Sequence, residues 1–354
     1  MTLVAPPAGV PAARIAPEGS LLLRVPNWVG DAVLALPALA ALCEAFADRS
    51  VFVVARKPVA PIYVGLAGVT EIVVVPRRGW GRLTALPRAL SERPALAVVL
   101  GHSFGAAAEV AVARPRQAWG YGGPLRALAL DTVLPRRWLA GRHRWEAYAL
   151  LAAAVTGRPV PERYPIAIAP GDRSAADRLF EEAGLGAGEG APAGGPVVSL
   201  VPGGNAPSRR WPAERFAALA VALHRDGARV VIQGGPGDAP LTGPIAALAG
   251  DAALDWTGRT TLPVLAECFR RSRLVVSNDT GPMHLAAAVG APVIALCGAA
   301  DERETGPRGP ACEVLVHPIH CRPCVKNTCA YNLGCMTGIS VTAVLERARL
   351  RLAV

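Results

Sequence analysis

The sequence is poor in lysine and in aromatic residues. Only Lys57 and Lys326 occur among 354 residues, so the formal net charge of +10 comes almost wholly from arginine. Aromatic residues make up 5% of the chain. Proteins that bind single-stranded nucleic acid combine a basic groove with aromatic side chains on which the bases stack. No aromatic-interleaved basic strip and no helix-turn-helix pattern is present, which argues against a nucleic acid as the partner.

Long apolar runs are also missing. No segment reaches the roughly 18 apolar residues that a membrane-spanning helix needs. The first residues, rich in proline and alanine, lack the basic and apolar regions of a secretory signal. We expect residues 1–19 to form a disordered lead-in and the protein to stay in the cytoplasm.

Short apolar strands alternate with amphipathic helices in two successive series, a pattern typical of buried parallel strands in doubly wound α/β domains. The first series contains LLLRVP (21–26), a helix from Asp31 to about Phe46, SVFVVAR (50–56), EIVVVP (71–76) and ALAVVL (95–100). The second contains PVVSLVPGG, ARVVIQGG, LDWTG, LVVSND and PVIALCG, with helices between them.

A chain of this length is too long for one ordinary core and fits two domains. We predict an N-terminal domain over 20–165, a C-terminal domain over 166–336 and a final helix over 337–354. Both domains are expected to be Rossmann-like and to face a central cleft, where the carboxyl ends of parallel strands bind ligands.

Arginine is concentrated in one region of the first domain. Twelve arginines lie from Arg77 to Arg144, against only Glu92, Glu109 and Asp131, a local excess of nine positive charges. Such a cluster is expected to bind a polyanion, and arginine is favoured where carboxylates or phosphates are bound bidentately. Alternatively, each single arginine reflects a genome that encodes arginine in place of lysine.

One loop of the first domain and two of the second follow strands and carry candidate functional residues. Asp31 lies in PNWVGDAVLALPAL, at the start of a helix; the alternative is that it only caps this helix. Ser208 and Arg209 lie in the glycine-rich segment PGGNAPSRRWP, a candidate phosphate cradle. Asp238, in GGPGDAP, stands where acidic residues of nucleotide-binding sheets accept hydrogen bonds from ribose.

A further loop, SNDTGPMHLAAAVGAP, connects a strand to a helix. Asp279, Thr280 and Gly281 precede the helix, so backbone amides at its start can face an anion. His284 follows one turn later and is within reach of a phosphate oxygen. A lone histidine is usually structural, and the preceding Asp-Thr-Gly makes a binding role more plausible here.

Four of the eight cysteines, Cys321, Cys324, Cys329 and Cys335, form the pattern C-x2-C-x4-C-x5-C. Closely spaced cysteines in a cytoplasmic chain favour a structural zinc or iron–sulfur site over disulfides. Reduced thiols or a labile disulfide are the alternatives. The remaining cysteines are scattered.

Four segments, in collinear order over residues 21–350, resemble the bacterial ADP-heptose:lipopolysaccharide heptosyltransferases of glycosyltransferase family 9, in particular the heptosyltransferase II branch. They are RVPNWVGDAVLALPALAAL, GHSFGAAAEVAVARPRQAWGYGG, PGGNAPSRRWPAERFAALA and NDTGPMHLAAAVGAPVIALCG. The resemblance implies a GT-B fold, with the acceptor on the N-terminal domain and the nucleotide-sugar on the C-terminal domain.

The resemblance also assigns roles to residues. Asp31 falls at the catalytic base, and Arg209 falls where the family usually has a phosphate-binding lysine. By resemblance, donor binding is assigned to Arg209, Asp238, Asp279, Thr280, Gly281 and His284, and the candidate phosphate cradle adds Ser208. We predict that Asn27, Ser103, Arg77 and Arg78 bind the acceptor. The sequence departs from relatives at Gly105, where they often carry lysine.

The expected reaction is transfer of L-glycero-D-manno-heptose from ADP-heptose to the lipopolysaccharide inner core, with inversion. No Asp-x-Asp is present to bridge a metal to diphosphate, so no cofactor is expected in catalysis. The expected partners are ADP-heptose, a heptosyl-Kdo2-lipid A type acceptor and the anionic inner face of the cytoplasmic membrane. The alternatives are a GT-B transferase or epimerase with another donor and, less favoured, a basic nucleic-acid-binding protein with a zinc site.

Overall fold

A computed structural model describes most of the chain, which forms two compact units, Met1–Ala167 and Ile168–Val354. The described residues are 2–10, 12–13, 19–79, 81–90, 92–162, 166–186 and 194–353. The division falls two residues beyond the boundary expected from the sequence. No helix in the described ranges is both long and apolar enough to cross a bilayer.

The first unit alternates strands and helices along most of its length. Its strands are β1 (Leu3–Val4), β2 (Leu21–Arg24), β3 (Val51–Ala55), β4 (Glu71–Val74), β5 (Leu96–Val99), β6 (Gln117–Tyr121), β7 (Thr132–Leu134) and β8 (Val160–Pro161), and its helices are α1 (Val29–Leu34), α2 (Leu36–Ala45), α3 (Gly81–Ala89), α4 (Phe104–Ala111) and α5 (Arg144–Thr156).

Strands β2 to β7 form a parallel sheet in the order β4-β3-β2-β5-β6-β7. This is the order of the doubly wound dinucleotide-binding fold, in which the chain reverses direction across the sheet after the third strand. The reversal leaves a crevice between the carboxyl ends of β2 and β5. Ligands of such sheets bind at this switch point.

The second unit repeats this architecture. Its helices are α6 (Pro170–Glu182), α7 (Ala213–Arg225), α8 (Ala239–Ala249), α9 (Leu262–Arg271), α10 (Gly281–Ala288), α11 (Glu302–Thr305), α12 (Gly334–Thr337) and α13 (Val341–Leu352), and its strands are β9 (Val197–Val201), β10 (Arg229–Ile232), β11 (Ala253–Asp255), β12 (Leu274–Asn278), β13 (Val293–Cys297) and β14 (Cys312–Val316). The parallel sheet has the order β11-β10-β9-β12-β13-β14, so its switch point lies between β9 and β12.

Continuous apolar strands are explained by burial on both faces of the second sheet. Val198 and Val230 pack in a core with Phe216 of α7, whereas their neighbours on the opposite face, Val197 and Val231, pack in a core with Phe180 of α6. Because successive strand residues point to opposite faces, both faces must then be largely apolar, and the buried Ser199 is hydrogen-bonded to Ser272 at 2.9 Å. Full burial of each such side chain contributes about 1.5–3 kcal/mol.

Two expectations from the sequence need correction. The lead-in is not wholly disordered, because Leu3–Val4 pairs antiparallel with Val160–Pro161; residues 1, 11 and 14–18 lie outside the described residues. The helix expected from Asp31 to Phe46 begins at Val29 and is divided at Ala35 into α1 and α2. Pro37 lies at the start of α2, where its missing N–H is tolerated, whereas inside a continuous helix it would break a hydrogen bond.

Candidate active site

The residues singled out in the sequence collect at the two switch points. Asn27 and Asp31 follow β2 and Ser103 follows β5, and we call this group of loops in the first unit the first-unit site. Ser208 and Arg209 follow β9, and the Asp279 loop follows β12; with Asp238 after β10 they form the second-unit site. Each site therefore occupies the position at which a doubly wound sheet binds ligands.

An ion pair lies at the centre of the second-unit site. The Nη1 atom of Arg209 is 3.2 Å from Oδ2 of Asp279, whose side chain is only 4% exposed. Burial raises the pKa of Asp279 above its ordinary value, and the positive charge of Arg209 opposes the rise. Arg209 is about 29% exposed, so its guanidinium remains accessible to a second anion from solvent.

Helix α10 begins directly beside this pair. Thr280 is the N-cap residue, and its extended backbone turns the chain from β12 into the helix at Gly281. The free amides and the dipole at a helix start attract a phosphate group. His284 is 7% exposed in the next turn of the same helix. The four residues Asp279, Thr280, Gly281 and His284 thus lie around one helix N-terminus.

A buried asparagine that the sequence reasoning missed fixes the two loops of this site together. The Oδ1 atom of Asn278 accepts a hydrogen bond from the amide of Trp211 at 3.0 Å, and its Nδ2 donates to the carbonyl of Pro202 at 2.8 Å. The side chain therefore holds both ends of the glycine-rich segment against the end of β12. The signal in the sequence is an amide side chain at the end of a buried strand, directly before the Asp-Thr-Gly turn.

Ser208 has a structural partner. It is 1% exposed; its hydroxyl donates to the carbonyl of Lys326, and its amide donates to the carbonyl of Asn327 at 3.2 Å. The residue joins the glycine-rich segment to the cysteine-rich segment. Because its proton is already donated, the hydroxyl oxygen of Ser208 could only accept a hydrogen bond from a ligand.

Asp238 approaches the same glycine-rich segment from the neighbouring strand. Its Oδ2 atom accepts a hydrogen bond from the amide of Gly235 at 2.9 Å, which orders the turn that starts α8. A Cβ atom at Gly203 would lie 3.1–3.2 Å from the Asp238 carboxylate, so glycine permits this close approach. The side chain is half-buried and still exposes an edge to solvent.

In the first-unit site, Asp31 is not the cap of its helix. The N-cap residue of α1 is Trp28, and no side chain caps this end. The carboxylate is about 23% exposed, and its Oδ1 atom lies 4.0 Å from Nη1 of Arg144 at the start of α5. Since capping does not occupy the carboxylate, the structural alternative considered from the sequence loses its support.

Tyr148 lies beside this carboxylate, and the ring of His102 packs near Tyr148. Burial raises the pKa of the Tyr148 phenol well above its ordinary value, and the negative charge of Asp31 adds to the rise. The imidazole of His102 lies 5.9 Å, centre to centre, from the rings of both Tyr121 and Tyr148. Burial, reinforced by Arg144 and other arginines nearby, lowers the pKa of His102 to about 4.

The residues assigned to the acceptor occupy separate loops of this edge. Asn27 is exposed, with its Oδ1 atom accepting a hydrogen bond from Arg24 at 2.8 Å. Ser103 is the N-cap residue of α4, and its hydroxyl oxygen accepts from the amide of Ala106 at 3.2 Å. Arg77 and Arg78 are exposed after β4. The arginine cluster is therefore divided, because Arg77 and Arg78 follow β4, whereas Arg93, Arg114 and Arg116 precede β5 and β6.

One arginine of that cluster is structural. Arg126 is 2% exposed, and its guanidinium donates to the carbonyls of Tyr121, Gly101 and Ser103. It fixes the loop after β5 instead of binding a ligand. Charge counting could not separate this buried arginine from the exposed ones.

The four clustered cysteines line one cavity of about 420 Å³ in the second unit, together with Ser208, Arg322 and Lys326. The Sγ atom of Cys329 accepts hydrogen bonds from the amides of Tyr331 at 3.2 Å and Leu333 at 3.3 Å. All four are free thiols. Among the residues that the structure describes, no three or more His, Cys, Asp or Glu side chains are arranged to hold a metal ion.

Comparison with known proteins decides the family. Residues 84–333 match glycosyltransferase family 9 (heptosyltransferase), which is more than half of the chain. The chain belongs to this family. The resemblance seen in the sequence is thus confirmed, and the protein is a glycosyltransferase.

Curated relatives of this glycosyltransferase match most of its length. Lipooligosaccharide heptosyltransferase 2 of Haemophilus ducreyi is 27% identical over 304 residues, covering 81% of this chain and 85% of the relative. Lipopolysaccharide heptosyltransferase 2 of Escherichia coli is 26% identical over 305 residues, with the same coverage.

A solved structure confirms the fold of the glycosyltransferase. The ADP-heptose lipopolysaccharide heptosyltransferase II of E. coli superimposes with a TM-score of 0.78 at 24% identity, covering 94% of this chain and 98% of the other. The two parallel six-stranded sheets are those of the GT-B fold, as expected from the sequence.

Proposed function

We propose that this glycosyltransferase moves L-glycero-D-manno-heptose from ADP-heptose to the inner core of lipopolysaccharide, as a heptosyltransferase of type II. The observation that carries the proposal is the second-unit site. There, the accessible Arg209 guanidinium, the buried Asp279 and the start of α10 lie together at the switch point of a sheet in a chain of the heptosyltransferase family.

The second-unit site supplies positive charge for the leaving group. When the bond between the anomeric carbon and the diphosphate breaks, negative charge develops on the released ADP. Arg209 and the amides of Thr280 and Gly281 offset that charge, which stabilises the transition state. The ribose hydroxyls are assigned to Asp238, and a phosphate oxygen is assigned to His284. This positive charge performs the task that a metal ion has in other transferases, so we propose that catalysis needs none.

The first-unit site supplies the base. The acceptor hydroxyl attacks the anomeric carbon of the heptose, the new C–O bond forms, and the hydroxyl proton passes to the carboxylate of Asp31. One base and direct displacement give inversion at the anomeric carbon. Because Asp31 is partly exposed and caps no helix, its carboxylate is available for this role.

The acceptor carries phosphates and carboxylates, and the exposed arginines of the first unit fit this chemistry. Arg77 and Arg78 follow β4, and Arg144 lies beside Asp31. Asn27 and Ser103 are assigned to acceptor hydroxyls on the intervening loops. We place the polyanionic sugar chain of a heptosyl-Kdo2-lipid A type acceptor on these residues.

Apolar side chains near the same loops support association with a membrane. Trp28, Phe104, Leu125 and Leu128 follow the carboxyl ends of β2, β5 and β6 and are 47–84% exposed. Together with exposed Arg136 and Arg137 they fit an anionic bilayer surface, which takes up apolar tips and attracts basic residues. We therefore propose that the enzyme is cytoplasmic and binds peripherally to the inner face of the cytoplasmic membrane.

A transfer assay tests the proposed function. Purified protein is incubated with ADP-heptose and a heptosylated Kdo2-lipid A acceptor, with a chelator present, and the product is identified by mass spectrometry. We expect a mass increase of one heptose and release of ADP. A panel of other nucleotide-sugars tests the alternative donors, because preferred turnover of a different donor would contradict the proposal.

A further inference from the structure

A buried carboxylate lies behind the first-unit site. Glu109 of α4 is fully buried and forms ion pairs with two arginines from other elements. Its Oε2 atom accepts from Nε of Arg24, at the end of β2, at 2.8 Å, and its Oε1 atom accepts from Nη2 of Arg56, directly after β3. Arg24 is also fully buried.

The same two arginines reach outward to the loops of the site. Arg24 donates from Nη2 to Oδ1 of Asn27 at 2.8 Å, four residues before Asp31. Arg56 donates to the carbonyls of Val75 and Pro76, which directly precede Arg77 and Arg78. Glu109 thus shares its charge between the arginine that holds the base loop and the arginine that holds the loop of Arg77 and Arg78.

Stability alone does not require this arrangement. Desolvation of buried ions offsets much of their mutual attraction, so a buried triad contributes little compared with apolar packing. Such a triad does fix geometry, because each guanidinium is planar and presents its donors in one rigid set of directions. Here the two guanidinium groups donate hydrogen bonds to the loop that carries the proposed base and to the loop that carries the proposed acceptor residues.

The geometry points to Glu109 as a positioning residue for the transfer reaction, which aligns the Asp31 loop with the Arg77–Arg78 loop through Arg24 and Arg56. This inference rests on the proposed function. Glu109 contacts neither substrate and acts only through the two arginines.

The chain offers a matched control in the second unit. Glu267 of α9 is likewise fully buried and receives hydrogen bonds from two arginines, Arg270 and Arg271, at 2.7–2.8 Å. Replacing either glutamate by glutamine keeps the shape and removes the carboxylate that two arginines share, although Arg271 keeps a second partner in Asp177 at 2.9 Å. Both variants should therefore melt at a lower temperature than the wild type.

The test compares Glu109→Gln and Glu267→Gln by steady-state kinetics, well below their melting temperatures. We expect Glu109→Gln to lower kcat/KM for the acceptor by about tenfold to a hundredfold, because a misplaced base and acceptor loop lose the reactive alignment. The KM for ADP-heptose should stay within about twofold of the wild type in both variants, and Glu267→Gln should keep its acceptor kinetics.

A second variant keeps the inference testable if Glu109→Gln does not fold. Arg56→Lys keeps a positive charge near Glu109 but cannot bond the carboxylate and both carbonyls with one fixed geometry. It should fold and raise the acceptor KM. Normal acceptor kinetics in Arg56→Lys, or in a Glu109→Gln variant destabilised like Glu267→Gln, would overturn the inference while the proposed function stands. A wild-type enzyme that transfers no heptose would overturn both.

Discussion

At the scale of single residues, Asp31 gives the most direct test. Its carboxylate is partly exposed beside Arg144 and caps no helix. Asp31→Asn keeps the shape of the side chain but cannot take a proton. We expect kcat to fall by about 10²–10⁴, the usual cost of losing a general base. The KM for ADP-heptose and the melting temperature should change little, as measured by steady-state kinetics and thermal unfolding.

A variant of Arg144, the cation beside Asp31, is the control for a change of charge near the carboxylate. Arg144→Gln removes the positive charge 4.0 Å from Asp31 but leaves the carboxylate in place, so it should retain more turnover than Asp31→Asn. If Asp31→Asn turns over at a near-normal rate, the base is a different group.

Arg209 carries the prediction for the leaving group. Arg209→Ala removes the charge next to Asp279 and should cost about 2–4 kcal/mol of transition-state stabilisation, measured as kcat/KM for ADP-heptose. Arg225→Ala, at an exposed arginine in the last turn of α7, is the control for loss of one positive charge. A strict requirement of the wild type for magnesium or manganese would contradict the assignment of this role to Arg209.

His102 makes a prediction about pH. Its pKa is lowered to about 4 in the folded protein by burial and by Arg144, Arg126 and Arg136, whereas an unfolded chain protonates histidine near 6.5. Between these values the unfolded state binds more protons, so this residue makes stability fall as pH decreases from 6.5 to 4. His102→Gln should weaken that dependence in thermal melts across the same range.

The exposed His224 provides the comparison, because His224→Gln replaces a histidine outside this buried environment. If His102→Gln leaves the slope of melting temperature against pH unchanged, the His102 imidazole is protonated equally in the folded and unfolded states, which would contradict the prediction.

At the scale of elements, the cysteine-rich segment 321–335 still poses the question of a metal. All four cysteines line one cavity, but the described residues contain no converged set of three ligands, so zinc binding would require the thiolates to move together. Structural zinc stays a hypothesis for this segment, beside reduced thiols or a labile disulfide, and it predicts a response to added metal. Added zinc should raise the melting temperature of the reduced protein, since a ligand of the native state stabilises it.

The response to zinc should disappear in Cys324→Ser and persist in Cys43→Ser, which alters a buried cysteine of α2 far along the chain from the segment. Elemental analysis of protein purified without added metal gives the occupancy. A metal-free enzyme with full activity and no response to zinc would show that the segment binds no metal. Its role would then be structural, through contacts such as the hydrogen bond from Ser208 to the carbonyl of Lys326.

At the scale of the whole molecule, membrane association depends on charge and apolar tips together. We expect binding to vesicles that contain anionic lipid to fall as salt rises, because the arginines are screened. Leu128→Ser, at a side chain 84% exposed, should weaken binding further. Leu350→Ser, at a leucine of α13 that is 60% exposed, should not. Equal binding to neutral and anionic vesicles in a sedimentation assay would contradict the proposal.

The sequence alone determined the two α/β units, because strands buried on both faces must be continuously apolar. Leu96–Val99 and Val293–Cys297 show this pattern without interruption. Strands β1, β6, β7, β8 and β14 were not predicted. In β6, β7 and β14 a polar residue or glycine interrupts the apolar pattern, and these strands form by pairing at the outer part of a sheet. The candidate ligand-binding residues could be located from the sequence because they lie in loops that directly follow predicted strands. Parallel strands bring their carboxyl ends, and therefore these loops, to one edge of the sheet.

Only the tertiary structure decided which charged side chains serve the fold and which are left for a ligand. Glu109 lies in a helix of small apolar residues, and Arg24 ends an apolar strand, yet no local pattern pairs them across 85 positions. Arg126 and Arg144 look alike in the sequence, but one is buried against carbonyls and the other is exposed beside Asp31. The distinction depends on desolvation, which is set by what packs around a charge and not by its neighbours in the chain.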